Sequence, residues 1–261
     1  MPIYQHDGAL HYFAHVPKAG GRSVEDYLRR RFGVLSMIDD GHHDRDRRST
    51  WLRTTPQHVA VKDLEVLFSI DWFASIFAVV RHPIARLVSA FNFQSTVWRQ
   101  IPVGMSFAEW FDEYRALSRI YPYYYDNHLR PQVDFVPEGA RVFRLEDGLD
   151  TLVEWLDQVT GSTAPGLDIS HVNASRPARG AGYRTEPLPQ DALGAIAEHY
   201  AADFERFGYA PDAAGRAFAL YMPTGRRPAG NERRRLRGRS LWGRRLWRQL
   251  VERTGRPVFM F

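Results

Sequence analysis

Six consecutive residues, Lys18-Ala19-Gly20-Gly21-Arg22-Ser23, combine two positive side chains, a hydroxyl and paired glycines. Glycines let backbone N–H groups approach an anion closely, and the lysine adds a mobile charge, so this set suits a phosphate or a sulfate. A second set lies further along. Arg81 offers a planar two-pronged donor, and Ser89 follows eight residues later, so the two can share another phosphate. The first set is not the common nucleotide loop, Gly-x4-Gly-Lys-Ser/Thr, in which the lysine follows the glycines and the hydroxyl serves magnesium. Arg81 also stands where many nucleotide hydrolases carry a magnesium-binding Asp, which argues against metal-dependent phosphoryl transfer. The plain alternatives are a tight Gly-Gly turn with a surface lysine, and an Arg81 held in a structural ion pair.

Regular elements must present these sets. Residues 9–16 are short, aromatic and β-branched, and read as a buried strand that stops at Pro17. A helix follows, with Ser23 as N-cap, Glu25 and Asp26 in its first turn, and Leu28 and Phe32 as an apolar pair before Gly33. Residues 72–80 read as a central strand buried on both faces, and Pro83 opens a helix continued by Ile84, Leu87, Val88 and Phe91. Helices are expected over 106–120, 149–159 and 189–207, and a third strand over 141–145. Residues 39–56 read as irregular, 121–136 as an aromatic loop, and 161–187 as a Gly-, Pro- and Ser-rich loop too long for a plain connection. The alternation predicts an α/β fold, with a parallel sheet flanked by helices and ligands at the carboxyl ends of its strands.

The chain has 261 residues and no cysteine, which removes disulfides, thiolate nucleophiles and zinc fingers. Its net charge of +5 is misleading as one number. Residues 226–261 hold 12 Arg against Glu232 and Glu252, so the first 225 carry 23 basic against 28 acidic side chains. The division expected is a domain over 1–225 and a basic, amphipathic helical extension over 226–261. No charged start precedes a long apolar stretch, and no window reaches about 18 uninterrupted apolar residues. A cytoplasmic protein is expected.

Two motifs at this separation resemble those of the sulfotransferases that use 3′-phosphoadenylyl sulfate, in particular the Golgi-type carbohydrate sulfotransferases and their bacterial relatives. Residues 13–23 are similar to their 5′-phosphosulfate loop and residues 77–91 to their 3′-phosphate motif. Weaker echoes follow at 126–132, 142–147, 171–175 and 200–209. Arg22 replaces the usual Thr and His82 the usual Asp. The resemblance implies a P-loop-like fold, the 3′-phosphoadenylyl sulfate donor with adenosine 3′,5′-bisphosphate as product, no metal, and a hydroxyl acceptor on a carbohydrate. It implies donor contacts from Lys18, Ala19, Gly20, Gly21, Arg22, Ser23, Arg81 and Ser89, and from Tyr183 in a late loop beside Arg176, Arg179 and Arg184. Asn173 and Ser175 belong to the echo at 171–175. Lys18 would also offset charge on the leaving phosphate. His58, followed by Val59, resembles the catalytic His-Val pair of uronosyl 2-O-sulfotransferases, and an imidazole suits a general base.

Other residues compete for acceptor and metal roles. His128, Arg130 and Tyr124 lie in an aromatic, polar segment suited to a sugar ring, although its tyrosines equally suit packing. His15 reads as a positioned neighbour of the phosphosulfate loop. His42, His43, Asp44 and Asp46 lack defined metal-ligand spacing and read as a solvated loop. In the extension, Leu241, Trp242, Leu246, Trp247, Leu250 and Val251 share one helical face with arginines beside it. That face is expected to dock on protein, with an anionic membrane as the second reading and nucleic acid as the least supported. The rival classes are a magnesium-dependent kinase of a nucleotide or small molecule, and a non-enzymatic protein that binds anionic lipid or nucleic acid through the extension.

Overall fold

The apolar runs around Phe13 and Phe77 become neighbouring strands in the computed structural model, which describes residues 1–44, 52–169, 182–212 and 217–225. The strands are β1 (Ile3–His6), β2 (Ala9–Ala14), β3 (Phe73–Val80), β4 (Arg141–Arg144), β5 (Tyr183–Pro187) and β6 (Ala219–Pro223). The helices are α1 (Gly21–Phe32), α2 (Val61–Leu64), α3 (Pro83–Thr96), α4 (Phe107–Ser118), α5 (Asp150–Thr160), α6 (Ala192–His199) and α7 (Ala201–Phe207). The main sheet runs β1-β2-β3-β4, with β2, β3 and β4 parallel and β1 antiparallel at the edge. The expected α/β architecture with a central parallel sheet is therefore present. Residues 170–181, with Asn173, Ser175, Arg176 and Arg179, lie outside the described residues, as do Asp46 and the Arg-rich extension.

Side-chain alternation along the strands builds two apolar layers. Phe13, Phe77, Val79 and Phe143 pack with Val24, Tyr27 and Leu28 of α1 and Leu152 and Leu156 of α5. Tyr12, Ala14, Ala78 and Val80 turn the other way, against Leu64 of α2, Phe135, Val136 and Phe207 of α7. A third cluster joins α3, α4, α6 and α7 to β6. There Asn92 of α3 acts as a stand-in strand residue, donating to the Ala219 carbonyl at 2.8 Å and accepting from the Tyr221 N–H at 2.8 Å.

Several local expectations are corrected. β1 was not anticipated; Asp7 and Gly8, at φ 48 and 80, make the tight turn that returns it to β2. The loop expected over 161–187 contains β5, which pairs antiparallel with β6. The helix expected over 189–207 breaks at Tyr200 into α6 and α7. Ser23 does not cap α1. Gly20, at φ 84, takes the cap position, and Ser23 lies buried in the first turn with its N–H on the Gly20 carbonyl at 3.0 Å. A glycine that adopts the left-handed turn starts the helix earlier than a hydroxyl cap at Ser23 would.

The junction of β2 and α1 depends on a missing side chain. His15, buried just past β2, places Nδ1 2.7 Å from Glu25 Oε1 on α1. Burial would raise the Glu25 carboxyl, but the neighbouring His15 and its hydrogen bond bring it down to about 2. Burial keeps the His15 imidazole below its ordinary value, so the pair is a carboxylate accepting from a neutral ring. The ring rests on Gly21: a Cβ there would lie 2.0 Å from Nε2 and 2.3 Å from Cδ2. Gly21→Ala is expected to cost about 2–3 kcal/mol of stability in urea unfolding through overpacking. In a double-mutant cycle, His15→Ala should remove most of that cost. An unchanged unfolding midpoint for Gly21→Ala would contradict this contact.

Candidate active site

Because β2 and β3 are parallel neighbours, their carboxyl ends deliver Lys18 and Arg81 to one place. The loop after β2 turns through Lys18 at φ 68 and Gly20 at φ 84, with the Ala19 N–H on the Val16 carbonyl at 3.3 Å. For a lysine the left-handed conformation costs roughly 1–2 kcal/mol, so the loop holds Lys18 against local preference. Its Nζ lies 3.7 Å from the centre of the Phe93 ring on α3. Removal from water, then the charges of Arg81 and Arg22, pull the Lys18 ammonium down to about 7. Arg22 is exposed and 3.9 Å from Asp40, while Arg81 donates to the Lys18 carbonyl at 3.4 Å. A repelling cation cluster beside a glycine turn and the start of α1 fits a bound polyanion.

Arg81 is set by residues distant in sequence. The Gln132 amide accepts from the Arg81 N–H at 2.9 Å and donates to the Arg81 carbonyl at 2.8 Å. Gln132 and Val133 N–H groups are in turn held by Asp203, each at 2.9 Å. Glu146 accepts from the His82 N–H at 2.8 Å, and His82 Nε2 donates to the Ala210 carbonyl at 3.2 Å. Ser89 stands in the second turn of α3, partly buried. Between Arg81 and Ser89 lies Arg86, fully buried, donating to the carbonyls of Pro17, His128 and Arg130.

The second half of the site gathers around Asp126. Its Oδ2 is 2.7 Å from His58 Nδ1, 3.0 Å from Thr55 Oγ1 and 3.2 Å from His43 Nε2, and its Oδ1 accepts from the Thr55 N–H at 2.7 Å. Burial pushes the Asp126 carboxyl up, but His58 and the hydrogen bonds of both histidines hold it well below the usual carboxylate range. The His58 ring stands edge-on to His15 at 5.1 Å and to His128 at 5.0 Å. His128 is buried and kept well below its ordinary value by burial and by His58, so it is a neutral imidazole. It stacks on Trp98 at 4.9 Å and lies 5.2 Å from Phe93, the ring beneath Lys18. The two halves therefore meet across Phe93 and His128, as cations on one side and an imidazole–carboxylate pair on the other.

The other expected residues have partners of their own. Arg130 is buried, with Nε 2.6 Å from Asp134 Oδ2 and Nη1 4.0 Å from Asp63 Oδ2. Tyr124 packs on Tyr125 at 4.3 Å and reaches Glu113 at 3.5 Å. Tyr183, in β5, donates its hydroxyl to the Ser95 carbonyl on α3 at 3.2 Å. His43, expected in a solvated loop, touches Asp126, while His42 lies 3.8 Å from Asp39. Ligating atoms of His58, Asp126 and His128 fall within 4.8 Å of one another, a spacing a divalent cation would accept, and the first two are already joined by a hydrogen bond. Among the described residues, no helix is long and apolar enough to cross a membrane. Sequence reasoning did not single out Asp126, Gln132 or Arg86. The first two begin and end the echo at 126–132, the one signal that pointed to them.

A model of the Sulfotransferase family matches residues 8–210. No curated protein and no solved structure gives a match. The matched span contains both cation-bearing strand ends, His58 and Asp126, and with it covering more than half of the sequence, the chain belongs to the sulfotransferase family.

Proposed function

We propose that the protein transfers a sulfuryl group from 3′-phosphoadenylyl sulfate to an acceptor hydroxyl on a carbohydrate. The observation that carries this reading is the meeting of the Lys18, Arg22 and Arg81 cluster with an imidazole whose Nδ1 is held by a buried carboxylate. When bound, the donor supplies the sulfuryl group and a bisphosphate leaving group. The backbone of Lys18, Ala19, Gly20 and Gly21, the side chains of Lys18, Arg22 and Ser23, and the start of α1 would hold its phosphosulfate end; Arg81 and Ser89 would hold the 3′-phosphate. Lys18 takes its charged form beside an anion and offsets charge growing on the leaving side. His58, with Nδ1–H on Asp126, presents Nε2 to take the acceptor proton. Trp98, Phe93 and His128 line that side with aromatic surface and limit water. The carbohydrate acceptor rests on the resemblance to carbohydrate sulfotransferases, and this aromatic wall is compatible with a sugar ring.

Mass spectrometry after incubation with 3′-phosphoadenylyl sulfate and a panel of oligosaccharides is expected to show addition of one sulfuryl group, undiminished by chelator. His58→Ala should lower turnover about 10²–10⁴-fold while binding of adenosine 3′,5′-bisphosphate survives. Phosphate transfer from a magnesium nucleotide instead would overturn the reading, and near-normal turnover in His58→Ala would move the base elsewhere.

The donor site carries its own pH signature. Lys18 is neutral in the free protein above about pH 7 and charged beside an anion, so binding of the bisphosphate above that pH should take up a proton. Affinity should fall as pH rises past about 7. Calorimetry in buffers of different ionisation enthalpy reads the uptake, which should vanish in Lys18→Ala. In Arg81→Ala, affinity should drop about 10–100-fold at every pH, from loss of charge-assisted hydrogen bonds. Equal heats in all buffers would contradict the Lys18 assignment, and unchanged affinity in Arg81→Ala the 3′-phosphate assignment.

A further inference from the structure

The geometry points to Asp126 as the positioning residue that decides which nitrogen of His58 faces the acceptor, and to the backbone around it as the device that holds it there. This rests on the reading of His58 as the base. Tyr125, Asp126 and Asn127 are three successive non-glycine residues at φ 52, 55 and 60. L-residues enter this region singly and at a cost, so a run of three persists only where surrounding contacts over-determine it. Those contacts converge on His58. Asp126 Oδ2 meets its Nδ1 at 2.7 Å, and the next residue, Asn127, donates its side-chain amide to the His58 carbonyl at 2.8 Å. The contorted turn thus grips both the ring and the backbone of one histidine.

The remaining bonds hold Asp126 itself. Thr55 supplies two donors, its N–H to Oδ1 at 2.7 Å and its hydroxyl to Oδ2 at 3.0 Å, and His43 adds a third at 3.2 Å. Immediately after the turn, Arg86 fixes the His128 carbonyl at 3.0 Å. An ionised carboxylate accepts only, so the Nδ1 facing it carries the proton and Nε2 carries the lone pair. In the transfer, the acceptor O–H proton passes to Nε2 as its oxygen bonds to sulfur and the bond from sulfur to the leaving phosphate oxygen breaks. The resulting imidazolium keeps its Nδ1–H on Asp126. Without the carboxylate the Thr55 hydroxyl, 2.9 Å from Nδ1, is free to donate to that nitrogen, which favours the Nε2–H tautomer with no lone pair where the acceptor arrives.

The test is Asp126→Asn in the full chain labelled with 15N-histidine, with the His58 signals assigned by their loss in His58→Gln. The wild-type protein should show the Nδ1–H tautomer at His58, and Asp126→Asn the Nε2–H form. In that variant kcat should fall about 10²–10⁴-fold, with the acceptor KM and the Kd for adenosine 3′,5′-bisphosphate within about threefold of wild type. Asp126→Glu should restore part of kcat. Asp126→Ser, which also removes the carboxylate with a smaller side chain, should give the same change of tautomer and a similar loss, and it serves if Asp126→Asn does not fold. An unchanged tautomer and kcat in Asp126→Asn, or in Asp126→Ser should it have to serve, alongside an inactive His58→Ala, would overturn the inference. A fully active His58→Ala would remove the base reading instead, while the tautomer measurement still reports on Asp126.

Discussion

Arg86 is completely buried, and its guanidinium reaches the carbonyls of Pro17 at 3.4 Å, His128 at 3.0 Å and Arg130 at 2.6 Å. Pro17 precedes Lys18 in the loop after β2, and His128 follows the turn that carries Asp126. One side chain therefore fixes the spacing between the cation cluster and the histidine–carboxylate pair. Burying a charge costs several kcal/mol unless its hydrogen bonds are met. Here the carbonyls, the Tyr200 ring at 5.4 Å and the nearby Asp203 offset part of that cost, although Nε is buried without a hydrogen-bond partner among the described residues. Asp203, raised by its own burial and drawn back by Arg86, also holds the N–H groups of Gln132 and Val133 and so reaches Arg81 through the Gln132 amide. The two ends of the site are thus tied to a common polar strut inside an otherwise apolar layer.

From that spacing follows an electrostatic division. On the loop side, the charges of Arg81 and Arg22 repel the Lys18 ammonium. On the other side, two carboxylates, Glu25 and Asp126, stay ionised although buried, each because an imidazole lies against it. His15 and His128 are neutral by burial. A polyanion on the loop side relieves the repulsion, and the neutral imidazoles avoid placing further positive charge beside His58, the base in the proposed reading.

The sequence displayed whatever depends on neighbours in the chain. The run to Val16, the glycines at 20 and 21, and the run to Val80 followed by Arg81 each carry their own local signal, and the parallel pairing of β2 with β3 follows from alternating elements. Where a contact spans scores of residues, no local pattern records it. Asp126 meets His58 from 68 positions away, and Gln132 meets Arg81 from 51. β5 and β6 are short, and β6 gains its place through Asn92 on α3, so neither reads as a strand from periodicity alone. Asp126 is hidden further because its left-handed turn contains no glycine to mark it. Ser23 shows the opposite case: it has the side chain of a helix cap, but Gly20 in its left-handed turn starts α1 before it.

The central claim is that the two strand ends together read a nucleotide with phosphates at both its 3′ and 5′ positions. Calorimetric titration of the full chain with adenosine 3′,5′-bisphosphate and with ADP, each with and without magnesium, tests it most directly. The bisphosphate should bind at least about tenfold more tightly than ADP, since only it carries a 3′-phosphate for the proposed contacts with Arg81 and Ser89, and chelator should not weaken it. Equal affinity for the two nucleotides, or binding that appears only with magnesium, would contradict it.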